Sequence, residues 1–177
     1  MNAKTLRQIE EMKKQTIGVE VEMNNITRNK AAKIAAEFFG TGRYENTADR
    51  NGYCTWSAYD AHGREWKFQQ DVSIAGPDSE KCEMVTPILN YSDIETLQEL
   101  IRRLRKAGAK SDSTRGCGVH IHIGAKGHTA QTLRNLANIM ASHESLLSEA
   151  LNLDGDRIRR YCRTVDTRFL EQVNRRK

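Results

Sequence analysis

The chain has 177 residues, 38% of them hydrophobic and 29% charged, which suits one folded domain with a heavily solvated surface and excludes a disordered chain. No apolar run nears the roughly 20 residues of a membrane span, and residues 1–15 lack the apolar core of a secretory signal. The four cysteines are scattered without a Cys-x-x-Cys pair, so neither a zinc knuckle nor a disulfide framework is indicated, and a cytoplasmic protein with free thiols and no membrane partner is expected.

Leu6, Ile9 and Met12 recur at near-helical spacing and predict a short amphipathic helix. The stretch Gly18-Val19-Glu20-Val21-Glu22 follows as a strand, with both carboxylates on one face and branched apolar residues on the other. Thr27 caps a helix whose Ala31, Ile34, Ala35, Phe38 and Phe39 run to a stop at Gly40. Residues 41–51 read as a loop. Tyr53, Thr55 and Ser57 suggest a strand, Asp60-Ala61-His62-Gly63 a turn, and residues 65–70 the returning arm of a hairpin, with Trp66 and Phe68 on one face. That arm is expected to continue through Asp71-Val72-Ser73-Ile74.

Residues 82–89 form the next expected strand, with Pro87 at an edge, an end or a bulge. Ser92 and Glu95 read as a capping box for a helix carrying Ile94, Leu97, Leu100, Ile101 and Leu104 up to Gly108. In Gly116-Cys117-Gly118-Val119-His120-Ile121-His122-Ile123-Gly124 two imidazoles share a strand face, and Val119, Ile121 and Ile123 fill the opposite, apolar side. Thr129 caps a long helix bearing Leu133, Leu136, Ile139 and Met140; Asp154-Gly155 reads as a turn, and residues 166–177 as a last short helix. Hairpins interspersed with helices, without regular strand-helix alternation, favour an α+β fold: an antiparallel sheet with helices on one face.

The other face then gathers Glu20, Glu22, Asp71, Ser73, Glu83, His120 and His122. A lone Glu-x-Glu on a strand is most often just the wet face of a sheet. Paired carboxylates repel, however, which raises a pKa or demands a cation, and hard oxygen ligands with few imidazoles suit magnesium or manganese. Magnesium usually arrives with a phosphate, so nucleotide chemistry is the favoured direction. The net charge of +5 is uneven: Arg157, Arg159, Arg160, Arg163, Arg168, Arg175, Arg176 and Lys177 crowd the tail, a cluster that attracts phosphate or is simply a solvated basic helix.

On the four stretches around Glu20, Trp66 to Ile74, Glu83 to Leu89 and His120, in that order over residues 16–163, the chain resembles the amidoligase family, within the carboxylate-amine ligase group that includes glutamine synthetase and glutamate-cysteine ligase. The resemblance implies a curved antiparallel sheet like that of the glutamine synthetase catalytic domain, holding ATP and Mg2+ (or Mn2+) on its concave face. It implies amide-bond formation between the carboxylate of an amino acid or peptide and an amine donor, through an acyl phosphate. Carried over, Glu20, Glu22, Glu83 and His120 match metal ligands, and His122 a group near the nucleotide. Asp71 and Ser73 match family positions that orient water or the amine.

The family continues into a late strand with a Glu-Phe-Arg type motif whose arginine faces the phosphates, and no such motif occurs before Lys177. Expectation therefore falls on a C-terminally shortened domain, with Arg115, Arg159, Arg160 or Arg163 as substitute cations and a free sheet edge that invites a second copy. A nucleotide- or metal-binding module without catalysis and a metal-dependent hydrolase using the two histidines are the alternatives. A nucleic-acid partner is not expected.

Overall fold

The computed structural model describes residues 2–50 and 52–175. Arg176 and Lys177 of the expected tail helix, and Asn51 of the expected loop, lie outside the described residues. The chain divides into two compact units, Met1–Gly124 and Ala125–Lys177.

Six antiparallel strands organise the first unit: β1 (Ile17–Met23), β2 (Tyr44–Asn46), β3 (Trp56–Tyr59), β4 (Glu65–Gln69), β5 (Cys82–Val85) and β6 (Val119–Ile123), in the open order β2-β3-β4-β5-β1-β6. With α1 (Ala3–Lys13), α2 (Arg28–Phe38) and α3 (Ile94–Lys106) they form the expected α+β architecture. Alternation along the strands sorts the two faces. Val19, Val21, Met23, Trp66, Phe68 and Met84 are buried toward α2 and α3, and their partners in the alternation emerge on the other side. Ala31, Ala32, Ala35 and Ala36 are fully buried; small side chains let α2 lie close over β3 and β4. Leu97, Leu100 and Leu104 complete the core from α3, one to each turn of the stripe read in the sequence.

Several expectations are corrected. Residues 41–51 are not all loop, because Tyr44–Asn46 pairs with β3 as an edge strand too short to show periodicity. The β4 arm stops at Gln69, and residues 71–74 form a turn in which the Asp71 carboxylate accepts the Ser73 N–H at 2.7 Å. β5 likewise ends at Val85. There the Thr86 N–H still donates to the Val19 carbonyl at 3.0 Å, but the Val19 N–H goes to the Thr86 hydroxyl at 2.9 Å, so a side chain takes half of the ladder pair just before Pro87. The α3 cap lies two residues earlier than expected, at Asn90 with Asp93, because a 3-10 turn at Tyr91–Asp93 precedes the helix. Val119, Ile121 and Ile123 face the helix-bearing side by register but are 54–65% exposed, since β6 is an edge and α2 lies over β2, β3 and β4.

The second unit contains α4 (Ala130–Ala150), α5 (Gly155–Arg160) and α6 (Thr167–Asn174). Thr129 caps α4 as expected. Asp154 is the cap of α5 rather than part of a free turn, accepting from the Asp156 and Arg157 N–H groups, and Asp166 caps α6 in the same way. α6 packs on α4, where the Asn138 and Asn174 amides exchange hydrogen bonds of 3.0 and 2.9 Å. No helix among the described residues is long and apolar enough to cross a membrane.

An ion network around the buried Asp60 fixes the β3–β4 turn to the start of α3. Arg64 donates to Asp60 at 2.7 Å and, with both terminal nitrogens, to Asp93 at 2.9 Å, while the Trp66 indole N–H donates to Asp60 at 3.1 Å. The Arg64 hydrogen bonds hold the Asp93 carboxyl below its ordinary value of 3.8. A carboxyl depressed on folding contributes stability that is present above its unfolded pKa and lost as pH falls through its folded pKa. Arg64→Leu is therefore expected to lower stability by about 3 kcal/mol at neutral pH, because Asp60 is left buried without its cation. In urea titrations the gap from wild type should narrow as pH falls through and below 3.8.

Candidate metal centre

β1 lies between β5 and β6, so its polar face receives side chains from both neighbours. Register pairs Glu22 with Glu83 on one side and Glu20 with His120 on the other. The His120 Nδ1 lies 2.9 Å from Glu20 and its Nε2 4.0 Å from Glu22, while the His122 Nε2 reaches Glu20 at 3.4 Å. Glu20 and Glu22 thus meet His120 and His122, about a hundred positions further along the chain, through the pairing of β1 with β6. Two carboxyls of this group are nearly excluded from water: Glu22 is 4% exposed and Glu83 6%.

Asp71 enters from the turn after β4. That turn is tied to the approach of β6 by the bond from the Ala75 N–H to the Arg115 carbonyl at 2.8 Å. Gly116 makes the contact feasible: with φ at 81° it occupies the left-handed region, and a Cβ there would come within 2.5 Å of the Ser73 carbonyl oxygen. Two overlapping groups result, Glu20 with Glu83 and His120, and Glu22 with Asp71 and Glu83. In each, one ligand atom per residue lies within 4.8 Å of the others.

The electrostatics are those of a site short of positive charge. Burial, and then the charges of Glu20, Asp71 and Glu22, push the Glu83 carboxyl above its ordinary value, against the lowering effect of the Gln69 amide that donates to it at 2.8 Å. Glu22 Oε2 is buried with no hydrogen-bond partner among the described residues, as is the Asn24 side-chain nitrogen two residues on. An orphaned buried carboxylate oxygen is costly unless a cation meets it. Two carboxylates with one imidazole in the first group, and three carboxylates in the second, fit magnesium or manganese better than zinc.

Every metal-ligand position read from the sequence lies in this cluster. Asp71 joins it as a carboxylate beside Glu22 and Glu83, not as a residue apart. Ser73 is exposed at the far end of the Asp71 turn, and Arg115 is exposed in the segment before β6. Arg159, Arg160 and Arg163 lie in the second unit, where Arg159 pairs with Asp156. Gln69 was missed, although it has the alternation that sets it opposite Trp66 and Phe68, and its donated hydrogen bond orients Glu83.

A model of the family described as "Putative amidoligase enzyme" matches residues 13–177. The chain belongs to this amidoligase family. Comparison with curated proteins and with solved structures returns no match. The match spans all six strands and both compact units, so the acidic face and the arginine-rich helices fall within one amidoligase region.

Crowded acids tax the metal-free fold. In EDTA, Glu83→Gln is expected to raise the stability of this chain by about 1 kcal/mol, because a neutral amide removes one repelling charge and keeps the shape. Urea unfolding of the two proteins at pH 7.5 checks the sign.

Proposed function

We propose that the chain is an ATP- and divalent-metal-dependent carboxylate-amine ligase acting on the carboxylate of an amino acid or peptide. The observation that carries this reading is the buried, partnerless Glu22 Oε2 inside a cluster where Glu83 serves two ligand groups at once. Such a face is built to be completed by cations, and an amidoligase needs them to hold a triphosphate.

In the proposed reaction the acceptor carboxylate displaces ADP from the γ-phosphoryl group of ATP, giving an acyl phosphate. The amine then attacks the acyl carbon, phosphate leaves, and the amine gives up a proton. Glu20, Glu83 and His120 would hold one Mg2+ or Mn2+, and Glu22, Asp71 and Glu83 a second. Bound there, the ions would supply charge neutralisation of phosphate oxygens. The chain's own groups act around them. Glu20 fixes the His120 ring through Nδ1, and the ring's Nε2 lies 4.0 Å from Glu22, so the imidazole stands between the two ligand sets. Gln69 holds Glu83 in position while it is shared. His122 is exposed on the edge strand with only a 3.4 Å contact to Glu20, which leaves it available to the nucleotide or to the proton of the amine.

Mn2+ at a hundred times its dissociation constant should stabilise the protein by about 2.7 kcal/mol, and Glu83→Gln should abolish most of that shift. With Mg2+, ATP and a panel of amino acids, phosphate release should require both a carboxylate acceptor and an amine. Glu83→Gln should slow it on the order of a hundred-fold. Phosphate release that needs no amine would instead indicate a hydrolase. ATP binding with no turnover would indicate a binding module.

A further inference from the structure

Among the described residues, Lys67 is the only lysine or arginine in any of the six strands. It lies on the polar face, in a cross-strand row that runs from Lys67 to Val85, to Glu20 and to His120. The Lys67 and Glu20 backbones are two strand spacings apart, about 10 Å, a gap that a lysine side chain spans in part. Val85 between them is short and apolar. Above it opens a concavity of about 420 Å3 lined by Lys67, Val85, Thr86 and Pro87 among others.

Lys67 is half-buried, and no described carboxylate pairs with it. The other cations around this part of the sheet are already engaged: Arg64 by Asp60 and Asp93, Arg50 by Glu45 and Glu65, and Lys81 by Asp78. An ammonium group kept partly out of water, unneutralised, beside a face of acids is spare positive charge. Glu65 shares that concavity, but its carboxylate accepts from the Ser57 hydroxyl at 2.7 Å and lies 3.7 Å from Arg50, so with the remaining acids filled by divalent ions the Lys67 charge is directed at whatever anion the ions hold.

We infer that Lys67 is the cation that receives the phosphoryl oxygens of the nucleotide on the β4 side of the metal centre, across Val85. The inference rests on the ligase reading and deepens it: it identifies a charge within the sheet itself, independent of any arginine in the second unit. It also sets a direction for the ligand, which runs along the row from His120 toward β4.

The test compares the full-length wild type with Lys67→Met and Lys67→Arg by calorimetry, first with Mn2+ alone and then with ATP at saturating Mn2+. Loss of a cation near several acids should tighten Mn2+ binding by roughly two- to five-fold. Loss of its charge-assisted hydrogen bond should weaken ATP binding by about ten-fold or more in Lys67→Met, and Lys67→Arg should recover most of it. Opposite changes for the two ligands are expected from an anion-facing lysine and not from a structural lesion, which would weaken both and overturn the inference. Unchanged ATP affinity in Lys67→Met would also overturn it while leaving the ligase reading intact. A wild type that binds Mn2+ but no ATP would remove both.

Discussion

Pairing of β1 with β5 on one side and β6 on the other is the constraint from which the acidic face follows. Glu22 stands opposite Glu83, and like charges directly opposite on neighbouring strands cost roughly 0.2–1 kcal/mol per pair. Slipping β1 by one residue would relieve this repulsion. The same slip would turn Val19, Val21 and Met23 out of the core and bring two carboxylates in, and each large apolar side chain withdrawn from water is worth about 1.5–3 kcal/mol. The apolar face therefore dictates the register, and the acids are held together as a consequence.

Supports outside the ladder keep this arrangement from relaxing. The Thr86 hydroxyl grips the Val19 N–H where β5 leaves off, so β1 stays anchored beyond the last paired residue of its neighbour. Gly116 lets the Asp71 turn press against the entry to β6, which brings a carboxylate from a non-strand segment to two on strands. Gln69 spends its amide on Glu83. The partners thus come from four segments of chain, and of the three acids on the inner strands Glu22 and Glu83 are the least exposed, while His120 and His122 sit at the rim on an edge strand. Such a graded site is closed on the side of its acids and open on the side of its imidazoles, where a ligand can enter.

Much of this could be read from the sequence because period-two alternation is a local signal. Glu20 with Glu22 and His120 with His122 announce both their strand and their face, and Leu97, Leu100 and Leu104 announce a helix that buries one stripe. Features set by contacts far along the chain were not legible. Tyr44–Asn46 is too short to alternate and is a strand because β3 pairs with it. The stop of β4 at Gln69 depends on the Asp71 carboxylate bending the chain back onto the Ser73 N–H, a competition between side chain and ladder that composition does not reveal. The exposure of Val119, Ile121 and Ile123 depends on strand order, since apolar alternation is the same on an edge as in a sheet centre. The role of Asp71 could be guessed as polar, but its meeting with Glu22 and Glu83 required the turn.

The raised pKa of Glu83 links the fold to its chemistry. Burial, and then the neighbouring carboxylates, raise the Glu83 carboxyl above its ordinary value, so in the metal-free protein a proton is taken up more readily at the same position that a divalent ion would fill. Proton and metal draw on the same buried carboxylate, and a cation that suits it must accept oxygen ligands without a thiolate to help. Hard dications with tolerance for oxygen ligands meet that condition. On the proposed reading, two such ions would offset the negative charge of the face and leave the ammonium of Lys67, one apolar residue away from Glu20 along the same row, as the cation facing their ligand. An acidic surface would thereby become one that attracts anions, which is the reversal that the proposed site for a metal-bound polyphosphate requires.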